Sequence, residues 1–156
     1  MRLARTVLID APTDRVWALL DDERNIPQWM PHVVGTRFPD GKPAGDPVGA
    51  RFIQTLQENG RTSEYIGEVT AYKPGHMLGL RLIPQAFVVD VCYYVTSDAE
   101  RACTELVYTC ETRANGWYGM VMLVLGRTML ANIADQQLAR LKQVAEGGGS
   151  GHISRA

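Results

Sequence analysis

The sequence has few of the residues that build covalent or metal-bound frameworks. Its cysteines number three, Cys92, Cys103 and Cys110, and their spacing fits neither a disulfide scaffold nor a CxxC metal site. The three histidines, His32, His76 and His152, also lack the spacing of metal ligands. We therefore predict free thiols, no structural metal and no cofactor.

An excess of charge of either sign is missing as well. The formal net charge is -1, and charged residues make up 21% of the chain. Disordered proteins and basic nucleic-acid binders both have more extreme compositions. The composition favours a folded domain whose partner is a small, weakly polar molecule, and it does not favour nucleic acid.

Long hydrophobic runs are also absent. The longest strongly apolar stretch, residues 117–125, falls short of the about 20 residues needed to cross a bilayer. Residues 1–10 include basic positions but lack the small-residue cleavage site of a signal peptide, so they are typical of a strand. We expect a cytoplasmic protein without an integral membrane segment.

The pattern that is present begins with a strand and two short helices. Residues 2–9 predict the strand, and Pro12 with its polar neighbours predicts the start of a helix that has an apolar face. A second short helix around residues 26–29 should end before Pro31.

From Val33 onward, apolar and polar residues alternate with the period of β-strands. The pattern predicts strands at 33–38, 49–58, 61–72, 76–83, 87–96 and 102–112. Asn59-Gly60 is a strong signal for a tight hairpin turn, and the other connections are also short. Short connections predict an antiparallel meander.

After residue 116 the period becomes helical up to about residue 146. Leu123, Leu130, Ala134 and Leu141 share one face of this helix, and we expect that face to pack on the sheet. Residues 147–156 are rich in glycine and predict a flexible tail. The chain is thus predicted to be one domain, residues 1–146, followed by a tail.

Three segments carry a resemblance to a known family. Residues 9–20 with 26–31 read IDAPTDRVWALL and IPQWMP, residues 67–75 read GEVTAYKPG, and residues 138–146 read LARLKQVAE. They resemble the polyketide cyclase/dehydrase branch of the START-related (SRPBCC) superfamily. The resemblance implies the α+β helix-grip fold, in which a curved antiparallel sheet wraps around a long C-terminal helix.

The resemblance implies a ligand cavity but no particular reaction, because one fold hosts many functions. Its members include aromatase/cyclases, dehydratases, lipid carriers and quinone-binding proteins. They share no universal catalytic motif, so the resemblance assigns no catalytic residue.

Strand alternation predicts which side chains face the cavity. A tight turn at Asn59-Gly60 places Phe52 opposite Gly67 and Gln54 opposite Tyr65 on the inner face. The same pairing places Arg51 opposite Glu68 on the outer face, and the pairing expected across the next turn, between the strands at 61–72 and 76–83, brings Arg81 beside Glu68. Because opposite charges are favoured in solvent, we predict an exposed cluster of Arg51, Glu68 and Arg81.

The last two strands follow the same alternation. Leu106, Tyr108 and Cys110 should point inward. For residues 87–96 the charge-free set that contains Val89, Val91 and Tyr93 is favoured as the inner face, although a slip of one residue would turn Asp90 inward.

These patterns give candidate ligand-binding residues for a small apolar or aromatic molecule that is lipid-, polyketide- or quinone-like. They are Trp29, Phe52, Gln54, Leu56, Tyr65, Leu80, Tyr108, Leu123, Gly126 and Leu130. The alternative is a cyclase or dehydratase that works by acid/base chemistry in the same cavity. Its candidate catalytic residues are Tyr65, Asp90, Tyr108 and Arg127.

The far face of the long helix offers a further hypothesis. It is apolar, and it could form a homodimer contact, gate the cavity or pack beneath loops. The residues concerned are Tyr118, Val121, Met122, Leu125 and Met129.

Overall fold

The structure is a computed structural model that describes residues 1–84 and 86–150. It begins with β1 (Arg2–Ile9), α1 (Thr13–Asp21), a 3-10 turn (Glu23–Asn25) and α2 (Ile26–Trp29). The remaining strands are β2 (Val33–Arg37), β3 (Arg51–Glu58), β4 (Arg61–Lys73), β5 (Met77–Ile83), β6 (Phe87–Asp98) and β7 (Cys103–Ala114). The chain then forms the long helix α3 (Gly116–Ser150).

Within the described residues, seven strands form one antiparallel sheet. Their order is β1-β7-β6-β5-β4-β3-β2, so the first strand pairs with the last and the rest form a meander. Helix α3 contacts β1, β7, α1 and α2 on the inner side of the sheet. The predicted helix-grip fold is confirmed.

The hairpin at Asn59-Gly60 sets the register of the central strands. Both residues have positive φ, 51° and 73°, as a tight two-residue turn requires. Phe52 pairs with Gly67 and Gln54 with Tyr65, as predicted. The predicted pairing of β4 with β5 is also observed from Ile66 to Val69, and the register then shifts between Val69 and Ala71.

Strand β6 presents its charge-free face to the core. Val91, Tyr93 and Val95 are buried. Asp90 lies on the opposite face, where Arg81 Nε donates to its Oδ1 at 2.7 Å and Arg113 Nη2 donates to its Oδ2 at 2.5 Å. The face favoured from the sequence is therefore the inner one.

The outer cluster is arranged differently from the prediction. Glu68 pairs in register with both Arg51 and Arg81, as expected. The Arg81 side chain, however, forms its ion pair with Asp90. Asp90 is held between two arginines of neighbouring strands and is a better bridging partner than Glu68.

The second half of α3 is anchored to the body of the domain. Its buried residues are Ala134, Leu138, Leu141 and Ala145. Arg5 Nε donates to Asp135 Oδ1 at 2.7 Å, and Lys142 Nζ donates to the Leu8 carbonyl at 2.8 Å. The predicted stripe is thus buried at Leu123, Ala134 and Leu141, and only half-buried at Leu130.

The C-terminal end of α3 differs from the expectation. The helix continues to Ser150, beyond the predicted end at residue 146, and residues 151–156 of the predicted tail lie outside the described residues. Within Gly116–Gly147 an 18-residue window reaches a mean hydropathy of 1.2, so by length and composition the helix could also cross a membrane. The second half is nevertheless the core helix of this domain.

Gly67 leaves the space that the Phe52 ring fills. A Cβ atom added at Gly67 would collide with that ring, whereas one added at Gly35 on β2 would meet nothing within 4 Å. We predict that Gly67→Ala lowers the free energy of unfolding by about 1–3 kcal/mol through overpacking.

The matched control is Gly35→Ala, which should leave stability unchanged or raise it by up to about 1 kcal/mol. Urea unfolding of both variants checks this. Equal stability of the two variants would contradict the predicted contact.

Candidate ligand-binding cavity

A cavity of about 650 Å³ opens between the inner face of the sheet, the α2–β2 corner and the middle of α3. Ligand pockets in proteins have volumes of about 300–1,000 Å³, so a small molecule would fit. The sheet side of its wall includes Leu56, Tyr65, Leu82, Val91, Tyr108 and Cys110. The α3 side includes Leu130, Ile133, Ala134, Gln137, Arg140 and Gln143.

Three aromatic residues form one wall of the cavity. The rings of Tyr93 and Tyr108 are 5.3 Å apart between centroids, and Trp29 meets Tyr93 edge-on at 6.1 Å. Trp29 Nε1 donates to the Leu19 carbonyl at 2.8 Å, so its polar atom already has a partner in the protein. Trp29 therefore offers a ligand only its apolar surface.

A second cavity of about 40 Å³ lies beside the first on the same inner face. Phe52, Gln54 and Leu80 line this smaller space, and Tyr65 lines the larger one. The Tyr65 hydroxyl donates to Gln54 Oε1 across the β3–β4 pair. This bonded pair borders both cavities.

The loop between β2 and β3 closes the smaller cavity. Lys42 Nζ donates to the Asp21 carbonyl at 2.7 Å and to Glu23 Oε2 at 3.2 Å. The same ammonium lies 5.5 Å from the centre of the Phe38 ring. Lys42 thus ties this loop to the end of α1.

Burial controls the ionisation of the phenols in the large cavity. It raises the pKa of Tyr65 to about 12. Burial also raises the pKa of Tyr93 and of Tyr108 above the ordinary range, and each phenol has the Cys110 thiol nearby as a further cause. All three keep their protons at neutral pH and can therefore donate a hydrogen bond.

Polar side chains gather at the rim of the large cavity. His32 and Glu58 face each other at 3.9 Å between Nδ1 and Oε1. Arg140 Nε donates to the Gln28 carbonyl at 3.2 Å, which fixes α3 to α2 at this point. The cavity therefore combines a mainly apolar interior with a polar rim, an arrangement common in ligand pockets.

The family can now be assigned. The model of the family described as polyketide cyclase / dehydrase and lipid transport matches residues 1–146. The chain belongs to this family. A comparison with curated proteins gives no match to its sequence.

Solved structures share the fold of this family member at low sequence identity. DR_A0006 from Deinococcus radiodurans is 20% identical, with a TM-score of 0.64, over 95% of this chain and 99% of that chain. A START superfamily protein from Mycobacterium smegmatis is 16% identical, with a TM-score of 0.67, over 92% and 98%. The di-domain aromatase/cyclase BexL, of the BE-7585A biosynthetic pathway, is 17% identical, with a TM-score of 0.71, over 92% of this chain and 45% of that chain. These likenesses support the fold.

The structure divides the predicted ligand-binding residues of this family member into three groups. The large cavity is lined by Trp29, Leu56, Tyr65, Tyr108 and Leu130. The small cavity is lined by Phe52, Gln54 and Leu80. Among the described residues, Leu123 and Gly126 line neither cavity, because they lie on the part of α3 that precedes the rim.

The predicted catalytic residues are also divided. Tyr65 and Tyr108 face the large cavity. Asp90 points away from it, towards Arg81 and Arg113, and Arg127 is exposed on α3. The structure therefore does not bring Asp90 or Arg127 to the phenols, because β6 has its charged face outside and α3 turns Arg127 to solvent.

Sequence reasoning missed the polar flank of α3. Ile133, Gln137 and Arg140 are spaced by four and three residues and share a helix face that borders the cavity. That spacing was a usable signal, but polar residues beside an apolar stripe are ordinarily assigned to solvent. Tyr93 was on the favoured inner face but was not named as a ligand contact.

A pair of leucines on α3 tests where the core ends and the cavity begins. Leu141 is fully buried, whereas Leu130 is half-buried at the cavity wall. We predict that Leu141→Ala lowers the free energy of unfolding by about 2–5 kcal/mol, and that Leu130→Ala costs less because its methyl groups already lack some contacts.

Chemical unfolding of both variants measures this difference. A larger loss at Leu130 than at Leu141 would show that the space beside Leu130 is filled by protein.

The buried phenols predict a loss of stability in alkali. A phenol whose pKa is raised on folding holds its proton more tightly in the native state, so its contribution is complete below about pH 10 and is lost as pH rises through the native value. For Tyr65 that native pKa is about 12.

We expect the free energy of unfolding to fall between about pH 10 and about pH 12, and to fall less steeply in Tyr65→Phe. Urea unfolding across this range is the measurement. Parallel pH curves for wild type and variant would contradict the assignment to Tyr65.

Proposed function

We propose that the protein binds one small, mainly apolar or aromatic molecule in the large cavity. The observation that carries the proposal is the cavity of about 650 Å³, whose inner wall is apolar and aromatic and whose rim is polar. Membership of a family described as polyketide cyclase / dehydrase and lipid transport supports this ligand class.

The chemistry of the wall narrows the ligand further. Leu56, Val91 and Leu130 supply apolar surface, and the Tyr93–Tyr108 pair supplies aromatic surface. The protonated phenols of Tyr93 and Tyr108 favour a ligand with carbonyl or hydroxyl oxygens that can accept a hydrogen bond. A lipid-, polyketide- or quinone-like molecule has both properties.

Binding without reaction is favoured by the position of the titratable groups. The phenols in the cavity hold their protons at neutral pH, and Asp90, the candidate carboxylate base, lies on the outer face. A carrier needs apolar area and a few donors, and the cavity provides both.

Acid/base catalysis is the second candidate, and one observation favours it. Tyr65 and Tyr108 both face the cavity with protonated hydroxyls, so either could deliver a proton in a cyclisation or dehydration. Tyr65 would have to release Gln54 to do so.

Filling the cavity tests the binding proposal. Leu130→Trp places a larger side chain in the cavity, whereas Val124→Trp adds the same side chain on an exposed position of the same helix. We expect Leu130→Trp to lose most of the compound that native mass spectrometry finds bound to purified wild type, and Val124→Trp to keep it. Equal retention by both variants would contradict binding in this cavity.

Removing single hydroxyls separates a carrier from an enzyme. In a carrier, Tyr65→Phe or Tyr108→Phe should weaken binding of the identified compound by about 0.5–1.5 kcal/mol, the usual net value of a hydrogen bond. In an enzyme that uses the hydroxyl as an acid, turnover should fall about 100-fold to 10,000-fold.

The compound is incubated with wild type and with each variant, and its conversion is followed by mass spectrometry. Conversion by wild type that collapses in one variant would favour the enzyme. An unchanged compound, with binding retained in the variants, would support the carrier.

A further inference from the structure

The first half of α3 exposes a group of large apolar side chains. Trp117 is 81% exposed and Leu125 is 73% exposed. The apolar surface, which we call the α3 face, is formed by Trp117, Tyr118, Met120, Val121, Val124 and Leu125, with Met122 and Met129 beside them. Single exposed apolar residues are common, but a contiguous set of this size marks an interaction surface.

The α3 face is too wide for a helix that packs on one partner. At 100° per residue, the exposed apolar positions from Trp117 to Met129 cover about 200° or more of the helix circumference. A helix that packs on one surface needs an apolar stripe of about 100°. Such a broad apolar sector suits a medium that surrounds the helix.

The charged residues in the segment that carries the α3 face are basic. Between Glu111 and Asp135 the sequence has two charged residues, Arg113 and Arg127. Arg113 is bound to Asp90, and Arg127 is exposed. Trp117 and Tyr118 stand at the start of the helix, and these residue types are enriched where protein meets the bilayer interface. A lipid surface accepts this combination, because residues 112–134 include no carboxylate that would have to be desolvated.

A second copy of the chain fits the α3 face less well. The segment 117–133 is roughly 25 Å long, and its apolar sector covers roughly 500 Å² of a helix about 10–12 Å wide. A stable protein interface buries about 800 Å² on each partner. A flat partner would also leave part of so wide a sector in water.

The α3 face is continuous with the rim of the large cavity. Leu130, Ile133 and Ala134 follow it in the next turns and line the cavity. The second half of the helix is bonded to the body through Asp135 and Lys142, so α3 cannot cross a bilayer while the domain stays folded. Contact with a bilayer surface would place the cavity rim beside the lipid.

We propose that the α3 face docks the protein on the surface of a lipid bilayer. Trp117, Val121 and Leu125 enter the interface, and the cavity rim faces the lipid. This docking goes beyond ligand binding in the cavity and does not require it, so vesicle binding tests it separately from the function proposed above.

The test is cosedimentation of the full chain with vesicles of phosphatidylcholine, with and without phosphatidylglycerol. Wild type should bind both, because apolar insertion contributes most of the binding. Leu125→Glu should lower the partition coefficient about tenfold or more. The matched control is Val34→Glu on β2, which is 49% exposed and away from α3, and it should change partition by less than about twofold.

Trp117 reports the contact directly. Its emission should shift to shorter wavelength with vesicles, and Trp117→Phe should remove most of that shift, because Trp29 is buried and Trp17 packs on Tyr72. Circular dichroism shows whether each variant is folded.

Three results would overturn the proposal. The first is that wild type does not cosediment with vesicles. The second is that the Leu125→Glu and Val34→Glu variants bind vesicles equally well. The third is a dimer in sedimentation velocity that Leu125→Glu converts to a monomer, with Trp117 emission unchanged by vesicles, which would assign the α3 face to a second copy.

Discussion

One long helix has to cover the inner face of a sheet that is much wider than the helix. Strands lie about 4.8 Å apart, so the seven described strands extend roughly 30 Å across, whereas a helix with its side chains is about 10–12 Å wide. Helix α3 contacts β1 and β7, and α1 contacts β6 and β7. The inner surface of the sheet that neither helix covers, together with α2, becomes the wall of the cavity.

The cavity persists because its polar atoms are tied down without closing it. Trp29 donates to Leu19, Arg140 donates to Gln28, and Tyr65 donates to Gln54. Buried polar groups without such partners would be costly and would favour collapse or solvation. What remains open to a ligand is apolar wall and the Tyr93–Tyr108 phenols, whose raised pKa keeps them uncharged in that environment.

The strands and their pairing could be predicted because the signals are local. Period-two alternation identifies the inner face, and the positive-φ turn at Asn59-Gly60 fixes which residues of β3 and β4 meet. The face of β6 was harder, because both of its faces are largely apolar. The choice depends on Asp90 finding Arg113, a partner on another strand that no local pattern identifies.

The side of α3 that borders the cavity could not be predicted from its sequence. The apolar stripe gives the direction of the core, but the position of the cavity depends on how the helix lies across the sheet. Leu123 and Gly126 were placed in the cavity on the assumption that the whole stripe meets the sheet. Ala134, Leu138 and Leu141 do so, and Leu123 is buried as well, but Leu123 and Gly126 lie in turns that extend past the cavity rim.

The extension of α3 past the cavity rim follows from the length of the helix, but the apolar composition of the extending turns does not. A helix of 35 residues is about 52 Å long, and the 12-residue strands β6 and β7 are about 40 Å long, so α3 is longer than the strands and can extend past their ends. Polar residues would serve equally well in a projecting helix and would avoid exposed apolar surface. The fold therefore accounts for the position of Trp117 and Leu125, while their apolar character has to be explained by something that the helix meets outside the domain.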